Sequence, residues 1–346
     1  MLMSRIDLHT HILPERWPDW TARTGYPGWI SLEHHKPCCA RMCQSTSVDG
    51  STPPKFFREI ESNCWDPAKR LQEMNATGVS MQVLSTVPVM FSYWAKPRDA
   101  YDLSRLLNDH VAQCCRDHPQ HFAGLGTIPM QDASLACEEL ERCVRQLGLR
   151  GVQIGTHVNG LNLDAPSVRE IFAHAERLGA CVFVHPWDML APERMSRYWM
   201  PWLVGMPTET TIAIMSVLFG GVLDAHPKLK LCFAHAGGSL PGTIGRIVHG
   251  FESRRDLFPA HAKHPREHLA HSGNPASFYV DSLTHDEHAL REIVRLFDAR
   301  RVALGSDYPF PLGEAKPGAM INAMHDLSEP TKRQLLELTA RNFLGL

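Results

Sequence analysis

The chain has 346 residues, 44% of them apolar, and carries 35 basic against 37 acidic side chains for a net charge of −2. The charges are well mixed, so no basic stripe argues for nucleic acid and no acidic tail for a disordered binding segment. This length fits one large α/β barrel with insertions, and the apolar share is enough to bury a large core.

In chain order, the start Met1-Leu2-Met3-Ser4-Arg5 has no long apolar run of the kind an export signal needs. The first β-rich run is Ile6–Ile12. It holds Asp7-Leu8-His9-Thr10-His11, and histidines at i and i+2 of a strand face the same side. The pair reads either as half of a metal site or as two histidines tolerated on a strand. About fifty residues then pass before the next helix, far more than an ordinary βα connection. That stretch contains Trp17, Trp20, Tyr26, Trp29, Phe56, Phe57 and Trp65. So many aromatics predict a folded insertion, about residues 14–65, over the face that its strand points to. Within it, His34-His35-Lys36-Pro37-Cys38-Cys39 and Cys43 read as ordinary loop thiols in preference to a soft-metal site. Ten cysteines without an export signal suggest free thiols in a reducing compartment, hence a cytoplasmic protein.

Asp66-Pro67 supplies a helix cap and a first-turn proline, with Gly78 just past the end. Further β-rich runs follow at Ser80–Thr86, Phe122–Ile128, Gly151–Thr156, Cys181–His185, Lys230–His235, Phe278–Leu283 and Val302–Asp307. Helices are predicted between them: Arg98–Asp117, from Asp132 to Gly148, from Asp164 to Gly179, Thr208–Asp224, Asp286–Asp298 and Thr331–Phe343, with a less regular one after Leu240. The most apolar span, Ile212–Leu223, is too short for a membrane helix. Eight largely apolar runs alternating with helices predict an α/β fold, a (β/α)8 TIM-like barrel with a small insertion subdomain after its first strand. A doubly wound sheet is the runner-up, and it lacks the glycine fingerprint of a dinucleotide site.

Chemistry should then gather where barrel strands end. His9 and His11 end the first run, His185 the fifth, His235 the sixth and Asp307 the eighth. Histidines and a carboxylate with one position left open form a set suited to catalytic Zn²⁺. The fourth run, Val152-Gln153-Ile154-Gly155, carries no lysine to bridge a second ion, which favours one metal. His157 just beyond it reads equally as a group supporting the site or as a structural loop residue.

These residues and their surroundings resemble the amidohydrolase superfamily, and within it a group of non-hydrolytic decarboxylases. The resembling stretches are His9-Thr10-His11-Ile12-Leu13-Pro14, Asn63-Cys64-Trp65-Asp66-Pro67, Leu84–Pro97, Gly151–His157, His185-Pro186-Trp187-Asp188-Met189, Pro201–Pro207 and Gly305–Glu314. Lys36–Pro54 departs from the family pattern. The resemblance implies one Zn²⁺ per subunit on His9, His11, His185 and Asp307, with His235 in acid–base work and Asp307 also counted as catalytic. It implies a small dicarboxylate substrate held by Arg58, by Arg246 acting across a homodimer interface, and by Arg254, for which Arg255 is an alternative. Trp202 matches a pocket aromatic or serves as a buried structural tryptophan, and Phe310 is expected to wall the pocket. Two other readings remain open: a hydrolase or decarboxylase acting on a carboxylated ring, such as a lactonase, and a zinc-binding protein without catalysis.

Overall fold

Residues 4–346 are described by a computed structural model; the first three residues of the start segment read above for an export signal lie outside the described residues. The strands, in chain order, are β1 (Ile6–Ile12), β2 (Ile30–Lys36), β3 (Cys39–Gln44), β4 (Lys55–Glu61), β5 (Met81–Thr86), β6 (Phe122–Gly124), β7 (Gly151–Gly155), β8 (His157–Val158), β9 (Leu161–Asn162), β10 (Cys181–His185), β11 (Lys230–Phe233), β12 (Tyr279–Asp281) and β13 (Val302–Ala303). Two parallel ribbons, β1-β5-β6 and β13-β12-β11-β10-β7, make the frame. Single parallel bridges join them into a ring. Gly126 meets Val152 beyond β6, and Thr10 of β1 meets Tyr308 beyond β13. The second seam is reinforced by Leu8 N–H to the Leu304 carbonyl (2.8 Å) and Asp307 N–H to the His9 carbonyl (2.9 Å). The result is an eight-stranded (β/α)8 TIM-like barrel.

Several strands are shorter than the β-rich runs that predict them. The run Val302–Asp307 pairs regularly only over Val302–Ala303. Beyond that the chain stays beside β1 through irregular bonds, which frees Asp307 to turn inward. β1 itself changes register between Asp7 and Thr10, so the His-x-His pair sits on an irregular stretch.

Helix ends follow the caps in most places. Asp66 accepts from Ala68 N–H and Gly78 closes that helix in the left-handed region, Pro67–Thr77 lying between. A cap of this kind is worth about 1 kcal/mol. Asp132 and Asp286 cap Ala133–Arg145 and Glu287–Phe297. Asp164 is not a cap: Pro166 takes the first turn, Ala165 precedes it, and the helix runs Pro166–Leu178. The stretch predicted as Thr208–Asp224 divides at Gly220-Gly221 into Met206–Phe219 and Val222–Ala225. A π-helical turn, Pro201–Gly205, extends it backward. The joined helix Pro201–Phe219 has 19 residues and is, among the described residues, the one helix long and apolar enough to cross a membrane. Its Met206, Ala213, Ile214, Val217 and Leu218 are buried, and all but Met206 belong to the main core cluster. The segment after Leu240 is a regular helix, Leu240–Ser253.

Residues between β1 and Pro67 form an antiparallel sheet, β2-β3-β4, with a short helix Trp20–Thr24. Trp20, Trp29, Ala40, Met42, Ile60 and Trp65 share one apolar cluster with Leu13, Val87, Met90, Leu103 and Leu107 of the barrel side. The aromatics thus bind the insertion to the barrel, except Phe56, which is exposed. Cys38 and Cys39 stand at the β2–β3 turn with sulfurs 3.4 Å apart, and Cys43 is buried in β3.

Candidate metal centre and active site

Every group of the site hangs from a strand end. His9 and His11 come from β1, His185 is the last residue of β10, and Asp281 is the last of β12. His235 lies two residues past β11 and Asp307 four past β13. Both adopt left-handed backbone, with φ of 56° and 58° respectively, as does Ala236 at 54°. That conformation is costly for side chains larger than glycine and must be held from outside. Asp281 does the holding at His235: its carboxylate accepts from His235 N–H (2.9 Å), Ala236 N–H (2.8 Å) and Leu283 N–H (3.1 Å). Asp7 holds the other turn by accepting from the backbone N–H and hydroxyl of Ser306, next to Asp307. Burial pushes the Asp7 carboxyl up to about 7 against those hydrogen bonds.

Four imidazole rings crowd one point. The ring centres of His9 and His11 are 5.1 Å apart, of His9 and His185 5.0 Å, of His11 and His185 5.0 Å, and of His185 and His235 5.1 Å. Donor atoms of His9, His185, His235 and Asp307 all lie within 4.8 Å of one another. His11 Nε2 is 3.2 Å from His9 Nε2 and 3.0 Å from Asp307 Oδ1.

The outer nitrogens divide these histidines into two kinds. His9 Nδ1 is 2.8 Å from the Asp281 carboxylate, His11 Nδ1 3.0 Å from the Thr86 carbonyl, and His185 Nδ1 2.9 Å from the Pro186 carbonyl. Each partner only accepts, so each Nδ1 carries the proton and each Nε2 turns a lone pair inward. Lone pairs this close repel unless a cation lies between them, and among the described residues His185 Nε2 is buried without a partner. His235 differs: its Nδ1 is buried and unpartnered, so nothing fixes its tautomer. Two carboxylates complete the cage. Burial would raise Asp281 and Asp307, yet hydrogen bonds and charge from the histidines hold Asp281 below and Asp307 well below the usual carboxylate range. Burial keeps His11 and His185 low, hence neutral. Two carboxylates and the inward-facing imidazole lone pairs together offer the donors and the negative charge that a divalent cation takes. The donor set therefore fits the metal that the strand-end pattern predicts. At His235 burial works downward, but the bond to Asp307 and the charges of Asp307 and Asp281 carry its pKa above the ordinary value. That suits a proton donor near neutrality.

A cavity of about 730 Å³ opens from His235 and Asp307 toward Ser239, Thr243 and Leu283. A small inner chamber of about 30 Å³ lies on the other side of Trp202, lined by His11, Arg58, His185, Asp307 and Phe310 as well. The Arg58 guanidinium, delivered by β4, sits 4.4 Å from the Phe310 ring centre and 5.7 Å from that of Trp202. Arg58, Trp202 and Phe310 are thus brought to the cage, Trp202 as a half-buried wall and not a core residue.

Other expected groups are elsewhere. Arg254 follows the end of helix Leu240–Ser253 and pairs with Asp256 at 2.8 Å on the surface. Arg255 is spent on the carbonyls of Phe258, Pro259, Ala260 and Ala262. Neither lines the cavity, because the chain turns outward where the helix stops. Arg246 is exposed on that helix. His157 Nε2 donates to the Asp188 carbonyl (2.9 Å) and stays out of the cage. Sequence reading missed Asp281, although it is the acid inside the seventh β-rich run, Phe278–Leu283. It also missed Arg70 on the Pro67–Thr77 helix, which no motif marks.

The model of the family described as Amidohydrolase matches residues 6–346. The chain is 54% identical over 343 residues to the 2-amino-3-carboxymuconate-6-semialdehyde decarboxylase of Dictyostelium discoideum, covering 99% of this chain and 92% of that protein. It is 37% identical over 392 residues to the protein of the same name from Caenorhabditis elegans, covering 99% and 94%. A crystal structure of 5-carboxyvanillate decarboxylase from Novosphingobium aromaticivorans, with bound manganese, matches with a TM-score of 0.80 at 20% identity, covering 99% of this chain and 97% of that one.

Proposed function

The chain belongs to the amidohydrolase family, and we propose that it is a metal-dependent, non-hydrolytic decarboxylase of 2-amino-3-carboxymuconate 6-semialdehyde. The products are carbon dioxide and 2-aminomuconate 6-semialdehyde, a step of tryptophan catabolism. What carries this reading is the 54% identity, over 99% of the chain, to a decarboxylase of that substrate. Arg58 beside the cage supports it, since a guanidinium binds a carboxylate through paired hydrogen bonds.

The departing carboxylate sits on an alkene carbon beside the amine-bearing one. Breaking that bond directly would strand an electron pair. Proton delivery to the carbon from His235 converts the neighbouring carbon into an iminium, and the electrons of the broken bond then flow into it as carbon dioxide leaves. Adding water across the same bond is an equivalent route: His235 takes the water's proton and delivers it to the carboxylated carbon while hydroxide bonds the amine-bearing carbon, and loss of carbon dioxide re-forms the double bond and expels the hydroxide. Arg58 holds a substrate carboxylate toward the cage, while Trp202 and Phe310 close the chamber to water. His9, His11, His185 and Asp307 hold the metal, which supplies positive charge and Lewis acidity beside the substrate. We take it as one zinc per subunit, which three imidazoles and a carboxylate suit.

The second substrate carboxylate calls for a second cation. Arg246 is exposed on the helix whose first turns line the larger cavity, so it is available to a neighbouring copy. The reading is a cytoplasmic homodimer in which Arg246 of the partner subunit completes the clamp. Mixing Arg246→Ala with Asp307→Ala chains then restores about a quarter of the sites by random pairing. No recovery after verified subunit exchange would remove the dimer clause.

The reaction itself is tested by metal analysis joined to carbon dioxide release, before and after chelation. The panel is the muconate semialdehyde, γ-resorcylate, 5-carboxyvanillate and a carboxylated lactone. Metal-dependent turnover of the first supports the proposal; turnover of another and not of the first overturns it.

A further inference from the structure

Arg70 is among the largest fully buried side chains of the protein, with 0% exposure. Its hydrogen bonds reach no carboxylate. Nη1 donates to the His11 carbonyl (2.6 Å) and to the Asn63 carbonyl (3.0 Å), Nη2 to Thr10 Oγ1 (3.0 Å) and Nε to Gln82 Oε1 (3.0 Å). The guanidinium also lies 4.7 Å from the ring centre of Tyr308. Tyr308 in turn donates to Glu73 Oε2 (2.6 Å), which also accepts from Asn63 Nδ2 (3.2 Å). A buried cation without a carboxylate is expensive, and neutral packing would be cheaper if folding were its only purpose.

The partners show what the cation is spent on. His11 is a cage residue, Thr10 stands between two of them, and Tyr308 follows Asp307. Asn63 lies two residues past β4, the strand that carries Arg58. One planar fork therefore ties four chain segments together: the first strand end, β5 through Gln82, the root of the insertion and, through the Tyr308 ring, the eighth strand's turn. His11 Nε2 and Asp307 Oδ1 meet at 3.0 Å on the far side of this tie.

We propose that Arg70 is a positioning residue of the metal centre, setting where His11 and Asp307 meet and how far Arg58 stands from them. The inference rests on the metal-dependent reading above, and Arg70 acts on the cage through the His11 carbonyl, Thr10 and the Tyr308 ring. Lysine keeps the charge but not the fork, so Arg70→Lys separates the two. Thr10→Val removes the Nη2 bond at nearly constant volume, together with the hydroxyl's own bond to the Val83 carbonyl (2.8 Å), and covers the case in which Arg70→Lys does not fold.

The experiment titrates Co²⁺ into the metal-free wild type and both variants, following affinity and the visible absorption of the ion alongside thermal unfolding. The expected result is folded variants that bind Co²⁺ 10–100-fold more weakly, the range seen when groups supporting metal ligands are lost, with an altered spectrum. A lowered melting temperature with wild-type Co²⁺ affinity and spectrum would mean a purely structural role and overturns the inference. Wild type that binds Co²⁺ but releases no carbon dioxide from the muconate semialdehyde instead sinks the reaction assigned above, leaving the Arg70 comparison intact.

Discussion

The metal cage and the substrate clamp are built on different principles. Cage groups sit at barrel strand ends, and three are anchored by hydrogen bonds to another strand or loop of the same barrel: His9 to Asp281, His11 to Thr86, Asp307 through Ser306 to Asp7. The clamp proposed for the substrate rides on other elements. Arg58 comes from the insertion sheet, and Arg246 is exposed on the helix that follows β11. A barrel places its strand ends by itself, whereas the position of a clamp residue depends on how an insertion packs or on a second copy. Reaction chemistry can thus stay constant while the clamp changes with the substrate.

Breaking the cage should have the largest effect. Asp307→Ala or His185→Ala should bring metal content below roughly a tenth of wild type and abolish turnover, as measured by metal analysis on purified protein; a fully metallated, active variant would refute the ligand set. His235→Ala should cost about 10²–10⁴-fold in kcat with metal retained. His235 lies within the same donor cluster, so loss of metal in step with activity would make it a ligand. Asp281→Asn keeps the shape but leaves His9 Nδ1 without its carboxylate, and should weaken metal affinity roughly 10–100-fold in a competition titration.

On the clamp side the effects shift from kcat to KM and become smaller. Arg58→Lys loses the planar fork and should raise KM by about tenfold, with metal content unchanged. Arg254→Ala should alter steady-state kinetics by less than about twofold, since its partner is an exposed surface carboxylate. A larger effect there would mean that the clamp extends around the end of the helix in the working assembly.

How much of this was legible in the chain follows the same division. Eight apolar runs, the helix caps at Asp66, Asp132 and Asp286, and the five strand-end groups were all readable, because periodicity and capping are local properties. Asp164 misled, since the proline two residues on displaced the cap. The continuous helix Pro201–Phe219 was underestimated because a π-helical turn leaves no apolar period to read.

What the sequence determined by itself is the barrel and the identity of the cage residues other than Asp281. Only the tertiary structure decided their states. Which nitrogen of each histidine carries a proton depends on Asp281, Thr86 and Pro186, two of them far along the chain. The buried fork of Arg70 and the inward turn at Asp307 are decided the same way. Each depends on a hydrogen bond or ion pair whose existence no local pattern announces, because its energy is realised only once distant segments have excluded water from around it.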